Sequence, residues 1–385
     1  MRSLLDGVSM PRMSCALLEQ LLTLPDPRRV TRNRKHLLVD ILLSAFCGVL
    51  ADCNNFVEIA EWARHHEDFL LTFLELPNGI PAHDTYGRVL TAVRPEALQG
   101  ILIPWLQQRR GLPGDWVHLD GKSLRGTRRT SHGLGALHLV SAWAGQHGLT
   151  LGQVAVDAKS NEITAIPQLL ELLDLRDKVV TIDAAGCQKD IAAQIVEAGG
   201  DYVLAVKDNQ PTLHAEVRAA FQTALEADSP DLRRCIREER GHGRQERRVV
   251  WVLPATPYVT CQAAWLGLRS LVLVLRVVTC PVSGVETEEV RYFISSLRPR
   301  VRRLARVIRG HWSIENGLHW VLDVVFREDA RRLYDRTAAE NVGLLNRLAT
   351  SLLRGDPSKG SLTVKRKRAA WSVGYLSQLL GLPSP

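Results

Sequence analysis

The stretch WVHLDGKS, Trp116 to Ser123, carries a short β-prone run onto one carboxylate, Asp120, and then onto a glycine. Asp-Gly is a common turn pair, so a structural reading is available at once. A strand that ends on an acid can equally deliver a reactive side chain to the edge of a sheet. The elements that follow Asp120 decide between the two readings, and with them the fold.

Three strands are expected after Gly111, read from VHLDGKSLRG, LHLVSAWA and LTLGQVAVDAK with glycine-bearing turns between them. A helix follows from Asn161, with Ile163, Ile166, Leu169, Leu170 and Leu173 at helical intervals. The β-branched run Val179-Val180-Thr181-Ile182 then ends on Asp183. A helix from Gln188 to Glu197 stops at Gly199-Gly200, DYVLAVKDN makes a fifth strand, and Pro211 opens a helix through Leu225. The order β-β-β-α-β-α-β-α implies a mixed sheet with helices on its faces, the element order of an RNase H-like core.

Upstream, Leu37, Leu38, Ile41, Leu42, Ala45, Phe46, Val49 and Leu50 make one apolar helical face. Further helices are expected over Phe56 to Leu76, after a cap at Asp84, and from Pro95 to Arg110. The basic flank Arg28, Arg29, Arg32, Arg34 and Lys35 fits a small DNA-binding domain or a structural helical cap about equally. Downstream, RRVVWVL, LRSLVLVLRVV and VRYFISSL read as an all-β insertion, and helical character returns from Val301 to Arg354. The tail, with Lys365 to Arg368 and Tyr375, Leu376, Leu379 and Leu380, reads as a last basic amphipathic helix.

The expected fold class is therefore α/β. Residues 1–112 form a helical N-terminal domain that is a candidate for DNA binding, and 113–239 the first part of an RNase H-like core. Residues 240–298 form the β insertion, and 299–385 complete the core with a glutamate-bearing helix and basic C-terminal helices.

Composition sets bounds on function. At 385 residues with 45% hydrophobic side chains the chain can bury a substantial core, which excludes global disorder. A net charge of +8 suits a polyanionic partner, although a mild excess also serves solubility. Seven scattered cysteines without a Cys-x-x-Cys pair signal neither a disulfide framework nor a zinc ribbon. The start, MRSLLDGVSMPRM, lacks a signal-peptide core. The most apolar run, Ile41 to Ala51, falls well short of the roughly 18 residues of a membrane span. A cytoplasmic, nucleoid-associated protein with no membrane partner is expected.

Asp120 and Asp183 would end neighbouring strands and project from one sheet edge. Glu315, on the helix after the β segment, would complete a cluster, with Asp323, Glu328 and Asp329 as rivals. Clustered carboxylates repel unless a cation joins them, and hard oxygen ligands select Mg²⁺ or Mn²⁺ over zinc. Two such ions about 4 Å apart can stabilise the attacking and leaving oxygens of an in-line phosphoryl displacement. His311 and His319 flank Glu315 at four-residue spacing, a stripe that could ligate zinc, but the His-Glu-x-x-His spacing of zinc proteases is absent.

The chain resembles the DDE transposases of bacterial insertion sequences, in particular the ISAs-type group that includes the H-repeat-associated proteins. The resemblance rests on LDGKSLRG, LHLVSAWA, DAKSNEITAIPQLLELLDL and VVTIDAAGCQKDIAAQIVEAGGDYVLAVKDNQPTLH. It continues in HGRQERR, RYFISSL and RGHWSIENGLHWVLDVVFREDA, and covers nearly the whole chain. It implies an RNase H-like domain whose triad falls on Asp120, Asp183 and Glu315, with the β segment in the 132-position interval between the last two. It also implies two Mg²⁺ or Mn²⁺ ions, DNA cleavage by hydrolysis, and joining of the 3′-OH ends to target DNA. The partners implied are insertion-sequence terminal repeats and target DNA, handled by a homodimer or larger assembly. Related transposases carry a Tyr-Arg-Glu-Lys signature on the glutamate helix; here His311 replaces the Arg and Leu322 the Lys.

Several basic residues are candidates for holding DNA: Lys122 and Arg125 after Asp120, and Lys207 with Asn209 after the fifth strand. A run of arginines, including Arg302, Arg303, Arg306 and Arg309, leads into the glutamate helix, where His311 is read as nearer DNA than metal. Each has a bland reading as a solvated charge. Trp251 and Trp265 are read as core, and Glu162 as a first-turn helix acid. Two alternatives stay open: another nuclease on this fold, and a domesticated DNA-binding protein without catalysis.

Overall fold

The computed structural model describes residues 15–30, 34–111, 114–129, 133–156, 161–241, 244–281 and 284–382. Arg32, Lys159, Ser160 and His242, which figure in the sequence reading, lie outside them. The first helices are α1 (Ala16–Leu21), α2 (Leu38–Leu50), α3 (Phe56–His65), α4 (Glu67–Leu71), α5 (His83–Ala92) and α6 (Pro95–Arg110). Then follow β1 (Trp116–Leu124), β2 (Leu137–Ala144), β3 (Leu149–Ala155), α7 (Glu162–Glu171), β4 (Val179–Ile182), α8 (Lys189–Glu197), β5 (Asp201–Val206) and α9 (Pro211–Glu226). Four strands come next, β6 (Arg233–Gly241), β7 (Arg244–Pro254), β8 (Ser270–Thr279) and β9 (Glu286–Ser295). The chain closes with α10 (Val301–Ile314), α11 (Trp320–Val324), α12 (Arg336–Gly355), α13 (Leu362–Trp371) and α14 (Val373–Leu380). No described helix is long and apolar enough to cross a membrane, and all seven cysteines are free thiols.

The chain divides into two compact units. One gathers residues 1–112, 123–137 and 320–385; the other gathers 113–122 and 138–319. In the helical unit, every residue of α2 is buried, so this helix is wrapped on all sides rather than amphipathic. Its Asp40 accepts hydrogen bonds from the main-chain N–H groups of Glu75 (3.3 Å) and Leu76 (2.9 Å). Asn341 of α12 donates to the carbonyls of Leu90 and Val93, both at 2.8 Å, tying the C-terminal helices to α5. Glu328, 4% exposed, pairs at 3.3 Å with the fully buried Arg347. Such a pair is held by its internal hydrogen bonds, since water is not there to solvate either charge.

Three local expectations change here. The helix expected over Phe56 to Leu76 breaks at His66, where φ is −122° and ψ 26°. Asp84 does not cap α5; the cap position is Ala82, and Asp84 sits in the first turn, paired with Arg88 at 2.9 Å. The last amphipathic helix is two, split at Ser372, whose hydroxyl accepts from the Tyr375 N–H at 3.2 Å. Lys365 and Arg366 in its basic run are 7% and 0% exposed and point inward, not to solvent.

The other unit is built on a nine-stranded mixed sheet in the order β3-β2-β1-β4-β5-β9-β8-β7-β6. β1, β4 and β5 are parallel neighbours, and β9, β8, β7 and β6 continue from β5 as an antiparallel run. All four residues of β4 are buried, the continuous apolar pattern of a central strand covered on both faces. α7 begins where the Asn161 side chain accepts from the Ile163 N–H at 3.1 Å, and it buries Ala165, Ile166, Leu169 and Leu170.

The β-rich segment adds its strands to the edge of this same sheet. Val179 of β4, Val203 of β5, Val250 and Val252 of β7, Val272 and Val274 of β8 and Phe293 of β9 share one apolar cluster with Leu304, Ala305, Val307 and Ile308 of α10. α10 therefore lies across the strands with these apolar residues inward, while Arg302, Arg303, Arg306 and Arg309 remain exposed. Strand β6 is absent from the sequence reading. It is exposed along almost its whole length and charged on both faces, so no hydrophobic alternation marks it.

Candidate active site

The parallel register of β1 and β4 pairs His118 with Thr181 and Leu119 with Ile182. One step further along each strand, Asp120 and Asp183 stand side by side at the carboxyl end of the sheet. That edge is where ligands bind in open α/β sheets. Glu315 comes from another direction. It is the residue at which α10 ends and a π-helical turn, Glu315–His319, begins. Such turns re-aim side chains and recur at functional positions. All three acids line one cavity of about 580 Å³, together with Thr181, Lys207, Asp208, His214, Arg218, Arg291, His311 and Trp312.

β1 does not turn at Gly121; it runs on to Leu124. A Cβ at Gly121 would lie 2.1 Å from Glu162 Oε1 and 2.3 Å from His138 Nε2. These two atoms are 2.6 Å apart and hydrogen-bonded. The glycine is there because this pair packs directly onto the backbone beside Asp120. Glu162 is thus both the first-turn acid of α7 and a neighbour of the two aspartates.

Electrostatics at the site reflect crowding of like charge. Burial pushes the Asp120 carboxyl up to about 7, with Asp183, Glu162 and Glu315 adding to the rise. Asp183 is raised by burial and then by Glu162, against the N–H of Ala185 that donates to it at 3.0 Å. Glu315 is raised by desolvation, which Arg291 opposes. His319 Nδ1 lies 3.5 Å from Asp120 Oδ2. Among the described residues no three His, Cys, Asp or Glu side chains converge closely enough to grip a metal ion as they stand. The donor set still fits a hard divalent cation: it is all oxygen, it lines one cavity, and its members hold each other's charge off until a cation compensates it.

Behind the acids lies a network that the sequence reading missed. Thr181 Oγ1 is 2.7 Å from Nδ1 of both His118 and His311. A hydroxyl has one proton, so it donates to one imidazole and accepts from the other. His311, a DNA-contact candidate in the sequence, is engaged in this network. Burial lowers His118 to about 3 and His311 to about 4. Both values lie below the ordinary 6.5, so the folded chain binds fewer protons than the unfolded one between about 6.5 and 4. The histidines' share of stability, fully present above pH 6.5, is expected to be lost as pH falls, at a slope approaching ~1.4 kcal/mol per pH unit for each, while the raised Asp120, Asp183 and Glu315 carboxyls act in the opposite sense. The gap in unfolding free energy between the parent and a His118→Gln, His311→Gln variant, followed by urea denaturation from pH 7.5 to 4.5, isolates the histidines and is expected to shrink; a gap independent of pH would mean that the imidazoles titrate freely in the fold.

The other candidates divide. Lys207 and Asn209 are exposed after β5, with Lys207 on the cavity wall and the Asn209 amide donating to the Ala184 carbonyl at 2.6 Å. Arg302, Arg303, Arg306 and Arg309 are exposed along α10. Lys122 is only 7% exposed, so a phosphate contact from it would require the side chain to leave its place. Arg125 lies in the helical unit, with its guanidinium 3.4 Å from Asp329. Of Glu315's rivals, Glu328 is committed to Arg347 and Asp329 to Arg125. Trp265 is core at 2% exposure, while Trp251 is half-buried. Arg291, stacked 4.5 Å from the Trp312 ring, and Arg218 are cavity residues with no place in the sequence reading. Arg291, the single charged residue in the stretch VRYFISSL, was the available signal.

A mixed α/β fold with carboxylates gathered on adjacent parallel strands, Asp120 within β1 and Asp183 just after β4, is compatible with the RNase H-like core of DDE transposases. Comparison with known proteins carries this further: residues 113–352 match the Transposase DDE domain, and residues 18–106 match the DDE_Tnp_1-associated domain. The chain belongs to the DDE transposase family. It is 38% identical over 373 residues to "Putative transposase YncI" of Escherichia coli O157:H7, covering 95% of this chain and 94% of that protein. It is 36% identical over 369 residues to "H repeat-associated putative transposase YhhI" of Escherichia coli K12, covering 94% and 97%. It is 46% identical over 253 residues to "Uncharacterized protein in dhlA 3'region" of Xanthobacter autotrophicus, covering 65% and 85%.

Proposed function

We propose that the chain is a DNA transposase that binds the ends of an insertion sequence, cleaves the DNA by hydrolysis and joins the 3′-OH ends to a target. The observation that carries this is the convergence of Asp120, Asp183 and Glu315 on one cavity from β1, β4 and the end of α10. In this reading the sheet is an RNase H-like core, and β7 to β9 are its inserted β segment. The three carboxylates would hold Mg²⁺ or Mn²⁺, two ions in all, which when bound supply Lewis-acid stabilisation of the attacking and leaving oxygens.

The remaining roles belong to the chain itself. Lys207 and Arg218 offer positive charge at the cavity wall, where a scissile phosphodiester needs its position fixed. Arg291 faces Glu315 and restrains its carboxylate toward the charged form. The His118–Thr181–His311 network braces β1, β4 and α10 against one another, so that the acids they carry keep their spacing. A homodimer or larger assembly belongs to this reading, since two DNA ends must be paired, and so does a nucleoid location.

The test is cleavage and strand transfer by the full chain on duplexes carrying the flanking repeats, with Mg²⁺ or Mn²⁺ supplied. Products nicked at the repeat ends and joined to a second duplex support the transposase. Nicking without joining points to another nuclease on this fold. Binding without either reaction points to a silent DNA-binding protein.

A further inference from the structure

The pairing of β6, β7 and β8 places three arginines in one row. Arg237 stands directly opposite Arg248, and Arg248 directly opposite Arg276. Ladder neighbours are about 5 Å apart, and like charges at that position destabilise a sheet. The row lies on the face covered by α10, in step with Val250 of the shared apolar layer. Where that layer ends, a cavity of about 320 Å³ opens between helix and strands, lined by Arg237, Arg248, Arg306, Arg309, Trp116 and Glu239 among others.

Acids nearby answer only part of this charge. Glu246 pairs with Arg248 and, at 2.9 Å, with Arg276; Glu239 pairs with Arg309 at 3.3 Å. Among the described residues Arg237 and Arg306 have no carboxylate within ion-pair distance. Burial and the Arg309 charge lower the pKa of Arg248 to about 10, the response of a guanidinium held among its own kind. The stretch Arg233 to Arg248 carries seven arginines against three glutamates, four of the arginines on β6, which is the edge strand of the sheet among the described residues, and three on its neighbour β7. A row of forks in excess over acids, continued along an open edge, suits a linear polyanion better than a single small ion.

We infer that the cavity between α10 and the β6–β7 ribbon is a phosphodiester-binding site that grips the backbone of duplex DNA. It rests on the reading of the chain as an enzyme acting on DNA. Two stripes of α10 would then divide the work. Ile308, His311, Trp312 and Glu315 face the acid cavity, whereas Ala305, Arg306, Arg309 and Gly310 face the arginine cavity. A strand held on the second stripe lies alongside the first without occupying it.

The test is the salt dependence of duplex binding by the full chain, read by fluorescence anisotropy between 50 and 300 mM KCl. Each phosphate contact contributes about 0.9 to the slope of log K against log salt for duplex DNA. Arg237→Gln combined with Arg306→Gln is expected to flatten the slope by about 1.8 and weaken binding at low salt. Arg176→Gln, at an exposed position paired with Asp174, is expected to leave the slope unchanged. Glu239→Gln, which releases Arg309, is expected to steepen it.

A double variant with unaltered circular dichroism and parental slope would overturn the inference. If the double variant does not fold, Arg306→Gln alone decides, at an exposed helix position where a change of about 0.9 is expected. Mg²⁺-dependent cleavage by the parent separates the two readings. Cleavage with a parental slope in the variants sinks only this site, whereas a flattened slope without parental cleavage sinks only the enzymatic reading. A parent that binds no duplex sinks both.

Discussion

Asp183→Asn is expected to abolish metal-dependent DNA cleavage, by roughly three orders of magnitude or more, while leaving duplex affinity nearly unchanged. The substitution keeps size and removes one negative charge and one hard anionic ligand. A thousandfold loss corresponds to about 4 kcal/mol of transition-state stabilisation, which is reasonable for a ligand shared by the reacting site. Binding should persist because the basic residues proposed to hold DNA lie on α10, after β5 and along β6 and β7. A second readout does not depend on turnover. Calorimetric titration of the protein with Mn²⁺ should lose its signal in the variant, because Asp183 is one of three carboxylates on the cavity. Removing the Asp183 charge also takes away the largest of the charges that raise Asp120, after burial. Parental cleavage in this variant would remove Asp183 from the ligand set and direct attention to Asp208 on the same cavity.

The second large effect concerns stability. Arg366 is 0% exposed, yet its guanidinium donates to the carbonyls of Val49 (3.0 Å), Cys53 (3.0 Å) and Val325 (2.6 Å) and to Asn54 Oδ1 (3.1 Å). It also pairs with Asp52 at 3.0 Å and lies 4.2 Å from the Phe326 ring centroid. One planar fork thus satisfies acceptors in the last turn of α2 and just after α2 and α11, joining distant parts of the chain within one helical unit. Arg366→Leu is expected to lower the unfolding free energy by about 3–5 kcal/mol, since it strands several buried acceptors and their partner charge. Arg366→Lys should recover little, because an ammonium has three donors and no fork. Urea denaturation monitored by tryptophan fluorescence checks both. A loss below about 1 kcal/mol would mean that water enters and replaces the guanidinium.

The sequence reading located many elements because their signals are local. Val179 to Ile182 is β-branched throughout, and it is a central strand. Asn161 and Pro211 mark helix starts, and helices begin there. Elements whose formation depends on distant partners were not legible in this way. β6 is a strand because β7 pairs with it along nine rungs, although nearly all of its own side chains are exposed. Arg366 sits in a run of four basic residues that reads as a solvated face, and only the packing of α13 shows it turned inward.

The candidate site divides along the same line. Residue types and chain spacing pick out Asp120, Asp183 and Glu315, because acids within or just after a β-prone run stand out against their immediate neighbours, although β1 continues past Asp120 to Leu124. Tertiary structure alone places Glu315 at a π turn, puts Thr181 between two imidazoles, and lays the His138–Glu162 pair onto Gly121. It also aligns Arg237, Arg248 and Arg276 in one row. The physical reason is that periodicity reports how one element buries its own face. Which side chains meet across the sheet depends instead on strand register and on helix packing between residues far apart in the chain.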